Sequence, residues 1–144
     1  MKENKESKRM RFGRFSYLIL AIIFLACVLM QIFTAGLAIF VNPANWVKHF
    51  SLVHLFGFNI PVLMLVMAIL GKMPKWAFWQ LFGLLAAIFA MYFTANITSA
   101  LPLAGAVHPV IAVILFMLSY SNVFKTWKLI SRRAKEEKKV EDSK

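Results

Sequence analysis

Four long apolar runs, separated only by short proline-containing turns, leave this chain few ways to fold. They cover residues 15–41, 47–70, 76–100 and 106–124. A hydrocarbon core about 30 Å thick takes on the order of 20 apolar residues of helix, and each run reaches that length. The turns are Asn42-Pro43-Ala44-Asn45, Gly71-Lys72-Met73-Pro74-Lys75 and Leu101-Pro102-Leu103-Ala104-Gly105. Pro with Gly or Asn in so short a segment stops one helix and starts the next, so neighbours run antiparallel. The expected fold is all-α, an integral membrane up-down four-helix bundle. Residues 1–14 form a basic tail, 15–124 the transmembrane domain and 125–144 a second charged tail. The first run is about twice as long as a signal-peptide apolar region and reads as an anchor that is not cleaved.

The charges fall outside these runs. Lys and Arg number 17 against 6 Asp and Glu, a formal net charge of +11. The carboxylate side chains are Glu3, Glu6, Glu136, Glu137, Glu141 and Asp142, so none lies between Ser7 and Lys135. Paired-carboxylate acid–base catalysis and Ser-His-Asp triads have no residues to use in the folded body, which argues against an enzyme. Nucleic acid is not an expected partner, because the cationic surplus is not laid along a soluble face. Residues 1–14 carry six Lys and Arg, residues 71–75 two, and residues 125–144 eight; the other side has Lys48 alone. The positive-inside rule therefore puts both termini in the cytoplasm. Tyr17, Trp46, Trp76, Trp79 and Trp127 fall near span ends, where amphipathic aromatics favour the headgroup region. The basic tails act as topology determinants and a solvated helix end. They can also hold anionic lipid, each cation contributing about 1 kcal/mol near the surface. Cys27, the single cysteine, reads as a small packing residue and excludes an intrachain disulfide.

With carboxylates absent, the polar residues inside the spans are the informative ones, since such groups face a bundle interior and find partners. At helical spacing each span has one stripe of small or polar residues. The stripes are Cys27, Gln31, Thr34 and Ala38; Phe50, His54, Gly57 and Pro61; Gln80, Gly83, Ala87, Met91, Thr94 and Thr98; and His108, Ala112, Leu115, Ser119 and Asn122. His49 is five residues from His54, about 140° around a helix, so both cannot face one seam. His49, beside Lys48, is expected at the surface and His54 inside. His54, His108, Gln31, Thr34 and Thr94 then converge in the outward half of the membrane, with almost nothing polar in the inward half. Two imidazoles on facing helices can ligate haem iron axially, with Gly57 making room for the porphyrin and Lys48 or a charged His49 meeting a propionate. His54 lies about 6–8 Å deeper than His108, so joint ligation requires helix tilt. A short repeat points the other way: Phe33-Thr34-Ala35-Gly36 parallels Phe93-Thr94-Ala95-Asn96, and His49 and His108 follow at matching intervals. By that repeat His49, not His54, is the counterpart of His108.

The apolar body from Arg11 to Lys128 resembles a family of small uncharacterised bacterial four-helix membrane proteins. The resemblance rests on Gln31-Ile32-Phe33 with Gly36, Phe50-Ser51-Leu52-Val53-His54-Leu55-Phe56-Gly57 and Val107-His108-Pro109. It implies a multi-pass protein of the bacterial cytoplasmic membrane and no reaction. A histidine on the second and fourth helices is also similar to half of haem A synthase and to b-type cytochrome bundles. That likeness implies a haem-ligand role for His54 and His108; synthase carboxylates have no counterpart here. Three readings stay open. One is a haem b protein passing electrons; another is an accessory or assembly subunit with structural histidines, joined to a membrane partner or to its own copies. The third is a small transporter or channel subunit.

Overall fold

The computed structural model describes residues 7–143, so Glu3 and Glu6 lie outside the described residues. It is all-α: α1 (Lys8–Phe40), α2 (Trp46–Phe56), α3 (Asn59–Leu70), α4 (Lys75–Ile97) and α5 (Pro102–Glu141), with a 3-10 turn at Pro43–Asn45. Four stretches, Lys8–Phe40, Pro43–Leu70, Lys75–Ile97 and Pro102–Glu136, are long and apolar enough to cross a membrane. The helix ends follow from local chemistry. Ser7 Oγ accepts from Met10 N–H at 3.3 Å, and Asn42 Oδ1 accepts from Ala44 N–H at 2.8 Å. Pro43 and Pro102 occupy first turns, where no amide donor is needed.

The second span is broken. Pro61 has no N–H to give the Gly57 carbonyl, and its ring crowds that carbonyl, so the chain turns at Gly57 and Phe58 between α2 and α3. Around the bundle, α1 packs on α2, α3 and α5, and α4 packs on α5 and α3; the diagonal pairs do not approach. Among the described residues α2 makes no close backbone approach to α4 or α5. The second span meets α4 through side chains, Tyr92 lying against His54 and Phe58.

The inward face of α1 is a stripe at three- and four-residue spacing: Tyr17, Ala21, Phe24, Val28, Gln31, Thr34 and Ala38 are all buried. Met64 and Ala68 of α3, Leu81, Leu84 and Ile88 of α4, and Leu115 of α5 meet it. Outward positions such as Ile22, Val66, Phe82 and Met117 are exposed and apolar, as a lipid-facing surface is. The tightest contact joins α1 to the turn after α3. A Cβ on Gly13 would overlap the Gly71 amide nitrogen and lie 2.7 Å from Gly71 Cα, so only glycine allows this approach. Next to it, buried Arg14 donates from Nε to the Gly71 carbonyl at 2.9 Å, capping the end of α3.

The expectation of an apolar inward half is corrected. Tyr17, expected at the headgroups, is fully buried and donates to Asn122 Oδ1 at 3.0 Å. Ser119 and Thr126, also buried, donate to carbonyls one turn back, and Gln80 Nε2 donates to Ser121 Oγ at 3.2 Å. The helix of α1 begins at Lys8, so Tyr17 sits more than two turns inside it and its ring falls on the buried stripe.

Two outcomes follow from this packing. Gly13→Ala should destabilise the detergent-solubilised protein by about 1–3 kcal/mol, because backbone must move to admit a methyl group. Gly83→Ala, whose added Cβ would meet Leu118 at an ordinary 3.6 Å, should leave thermal unfolding almost unchanged. Tyr17→Phe should cost about 1–3 kcal/mol by stranding Asn122, and adding Asn122→Leu should recover part of that loss. A double variant whose loss equals the sum of the singles would show that the pair does not act as a unit.

Candidate functional site

The end of the bundle away from the termini holds two histidines anchored in the same way. On α2, His49 Nδ1 lies 3.1 Å from the Gln31 carbonyl and 3.4 Å from Thr34 Oγ1, while Thr34 donates its hydroxyl to the same Gln31 carbonyl at 3.0 Å. On α5, His108 Nδ1 lies 3.0 Å from Thr94 Oγ1. Thr94 in turn bonds the Ala90 and Met91 carbonyls at 2.8 and 3.1 Å. Each unit thus consists of a threonine on one helix, the carbonyl three residues before it, and a histidine on the next span.

These bonds decide where the imidazole protons sit. A carbonyl only accepts, so the Gln31 carbonyl requires a proton on His49 Nδ1. Thr94 has spent its one proton on a carbonyl, so its oxygen accepts from His108 Nδ1. In both rings Nε2 is left with its lone pair. Metal-ligating histidines are commonly oriented through the same bond, Nδ1–H to a carbonyl. A third acceptor belongs to the cluster. Gln31 is 8% exposed, and its Nε2 donates to the His49 carbonyl at 2.9 Å. Its Oε1 is buried without a hydrogen-bond partner among the described residues. The unsatisfied groups are all electron pairs, two imidazole nitrogens and one amide oxygen, which complement an electron-poor centre or a hydrogen-bond donor.

His54 is elsewhere. It is exposed, its Nδ1 is 3.2 Å from Tyr92 Oη, and its ring lies 5.5 Å from that of Tyr92. Tyr92 also stacks on Phe58 at 5.5 Å. Tyr92 and Thr94 are two residues apart on α4, about 200° around the helix, so His54 and His108 grip opposite flanks of it. The expectation of His54 inside and His49 at the surface is therefore reversed by the geometry. On α2 the inward positions are His49, Val53, Phe56 and Gly57, and the same three- and four-residue spacing runs on through Pro61, Met64 and Ala68, which leaves His54 off that face. Phe56 is buried, its ring 5.5 Å from that of Phe24. Gly57 ends α2 beneath Tyr92, whose hydroxyl would lie 3.6 Å from an added Cβ. Of the residues singled out in the sequence, Gln31, Thr34, Thr94 and His108 are brought to this end, joined by His49. The signal for His49 was the paired Phe-Thr-Ala repeat followed by a histidine at almost the same interval.

Nitrogen-15 spectra of histidine-labelled protein should show Nδ1-protonated neutral imidazoles at His49 and His108. Thr94→Val should alter the His108 signal while leaving His49 in place. Nε2-protonated rings at these positions would contradict the assignment.

No curated protein and no solved structure matches this chain. Residues 31–99, a stretch that includes Gln31, Thr34, His49 and Thr94 and stops before His108, match the model of a family of unknown function, DUF6220.

Proposed function

We propose that this is a small haem-binding membrane protein in which His49 and His108 would hold the iron. The carrying observation is the matched anchoring of both Nδ1 atoms, which leaves two Nε2 lone pairs on spans whose backbones stay apart at this end. The donor set fits ferric or ferrous iron: neutral imidazoles, no competing carboxylate and no thiolate. Thr34 and Thr94 orient the rings, and Gln31 ties α1 to the His49 backbone while presenting its amide oxygen to the cluster. Lys48, the one basic residue of this end, neighbours His49 and is positioned to meet a propionate. Haem held by two imidazoles supplies one-electron transfer, which needs none of the acid–base groups this chain lacks. In this reading the end bearing the termini, rich in Lys and Arg, faces the bacterial cytoplasm, and the histidine pair lies in the outward half of the membrane.

A second reading, a subunit of a larger membrane complex, is favoured by one feature. His54 and Asn96 are exposed at membrane depth beside a shallow groove of Phe89, Tyr92, Phe93 and Ile97. Polar groups at that depth usually face protein, not lipid.

One experiment separates the two. Protein purified in detergent after expression with excess haem should show a Soret band and sharp α and β peaks on dithionite reduction. His49→Ala and His108→Ala should each abolish the low-spin spectrum, while His54→Ala should keep it. Stable wild-type protein without haem absorbance would exclude the haem reading and leave the subunit reading, for which the next test is co-purification through the His54–Asn96 face.

A further inference from the structure

We propose that the opposite end of the molecule binds one anionic phospholipid, its headgroup held in a cleft between the start of α1 and the last turns of α5. The cleft has a volume of about 300 Å³ and is lined by Arg11 and Arg14 from α1 and Arg133 from α5, over apolar surface from Phe12, Phe15 and Ile130. This end is basic beyond the cleft: Lys72, Lys75, Lys125 and Lys128 lie at the same level, and Lys125 Nζ stands 5.9 Å over the Trp76 ring.

Three features make the cleft more than a charged tail. Arg14 is 7% exposed, and its Nε bond to the Gly71 carbonyl fixes the guanidinium before any ligand arrives. Arg11 lies one turn away on the same helix, and Arg133 enters from a second helix; the contact described for it, Glu136 at 3.9 Å, is long and exposed. Guanidinium forks match the oxygens of a phosphodiester. The floor is as informative as the rim. Phe12 and Phe15 are 62% and 58% exposed immediately beside the arginines, at the level where the apolar spans give way to charge. A cationic rim over exposed aromatic surface fits a headgroup joined to acyl chains better than a free anion, which has nothing to cover the rings. α5 stays helical through this region as far as Glu141, which is what carries Arg133 to the cleft.

The test is native mass spectrometry and thermal unfolding of the detergent-solubilised protein with phosphatidylglycerol, phosphatidylcholine, or inorganic phosphate added alone. Phosphatidylglycerol should bind one per chain and raise the melting temperature; phosphatidylcholine and phosphate should do neither. Arg11→Gln combined with Arg133→Gln should weaken binding about tenfold or more. Both residues are exposed, so the fold should survive. Arg132→Gln, next in sequence but outside the cleft, should bind as wild type does. Equal binding of phosphatidylcholine, or an equal loss in Arg132→Gln, would overturn the proposal, as would stabilisation by phosphate alone matching that by phosphatidylglycerol.

Discussion

The course of the second span depends on the break that Pro61 forces in it. In hydrocarbon a backbone carbonyl that loses its donor has no water to turn to, so the chain rearranges locally and does not leave the group bare. Here the rearrangement is the turn at Gly57 and Phe58, with Asn59 Nδ2 donating to the Leu55 carbonyl at 2.8 Å. The half-span before the break presents Phe56 and His49 to α1, and the half after it presents Pro61, Met64 and Ala68.

His49 Nδ1 stands 3.4 Å from Thr34 Oγ1, and His108 Nδ1 3.0 Å from Thr94 Oγ1. Two hairpins, α1 with α2–α3 and α4 with α5, thereby repeat one device: a threonine that gives its proton to a carbonyl of its own helix, with Nδ1 of a histidine from the next span against it. The halves differ at one informative position. Gln31 stands where the second half has Met91, and this asymmetry adds a buried amide oxygen to one side of the pair. At the other end, polar groups serve the fold. Tyr17 with Asn122 and Arg14 with Gly71 lock α1 against α5 and the α3 turn, and none is needed to hold a ligand between the histidines.

Much of this was legible in the residues. Apolar run lengths and proline turns specify four spans, and 3–4 spacing specifies the buried stripe of α1 from Gln31 to Ala38. The placement of His108, Leu115, Ser119 and Asn122 on one face of α5 also followed from spacing. Two features were not legible for physical reasons. The stripe of Phe50, His54, Gly57 and Pro61 is buried at Gly57 and Pro61 but exposed at Phe50 and His54, because the inward positions drift along a span of this length. The amphipathic ring of Tyr17 suits the headgroups and the interior equally, and only the presence of Asn122 across the bundle decides between them. The Phe-Thr-Ala repeat pairs His49 with His108, whereas helical spacing alone favours His54.

The proposed haem site requires that His49, and not His54, face His108. Site-directed crosslinking measures it directly, in a Cys27→Ala background with a short bifunctional thiol reagent applied to membranes. His49→Cys combined with His108→Cys should join the second and fourth spans, seen as a link surviving proteolysis of the turn between α3 and α4. His54→Cys combined with His108→Cys should not. Efficient crosslinking of the His54 pair with none from the His49 pair would contradict the account.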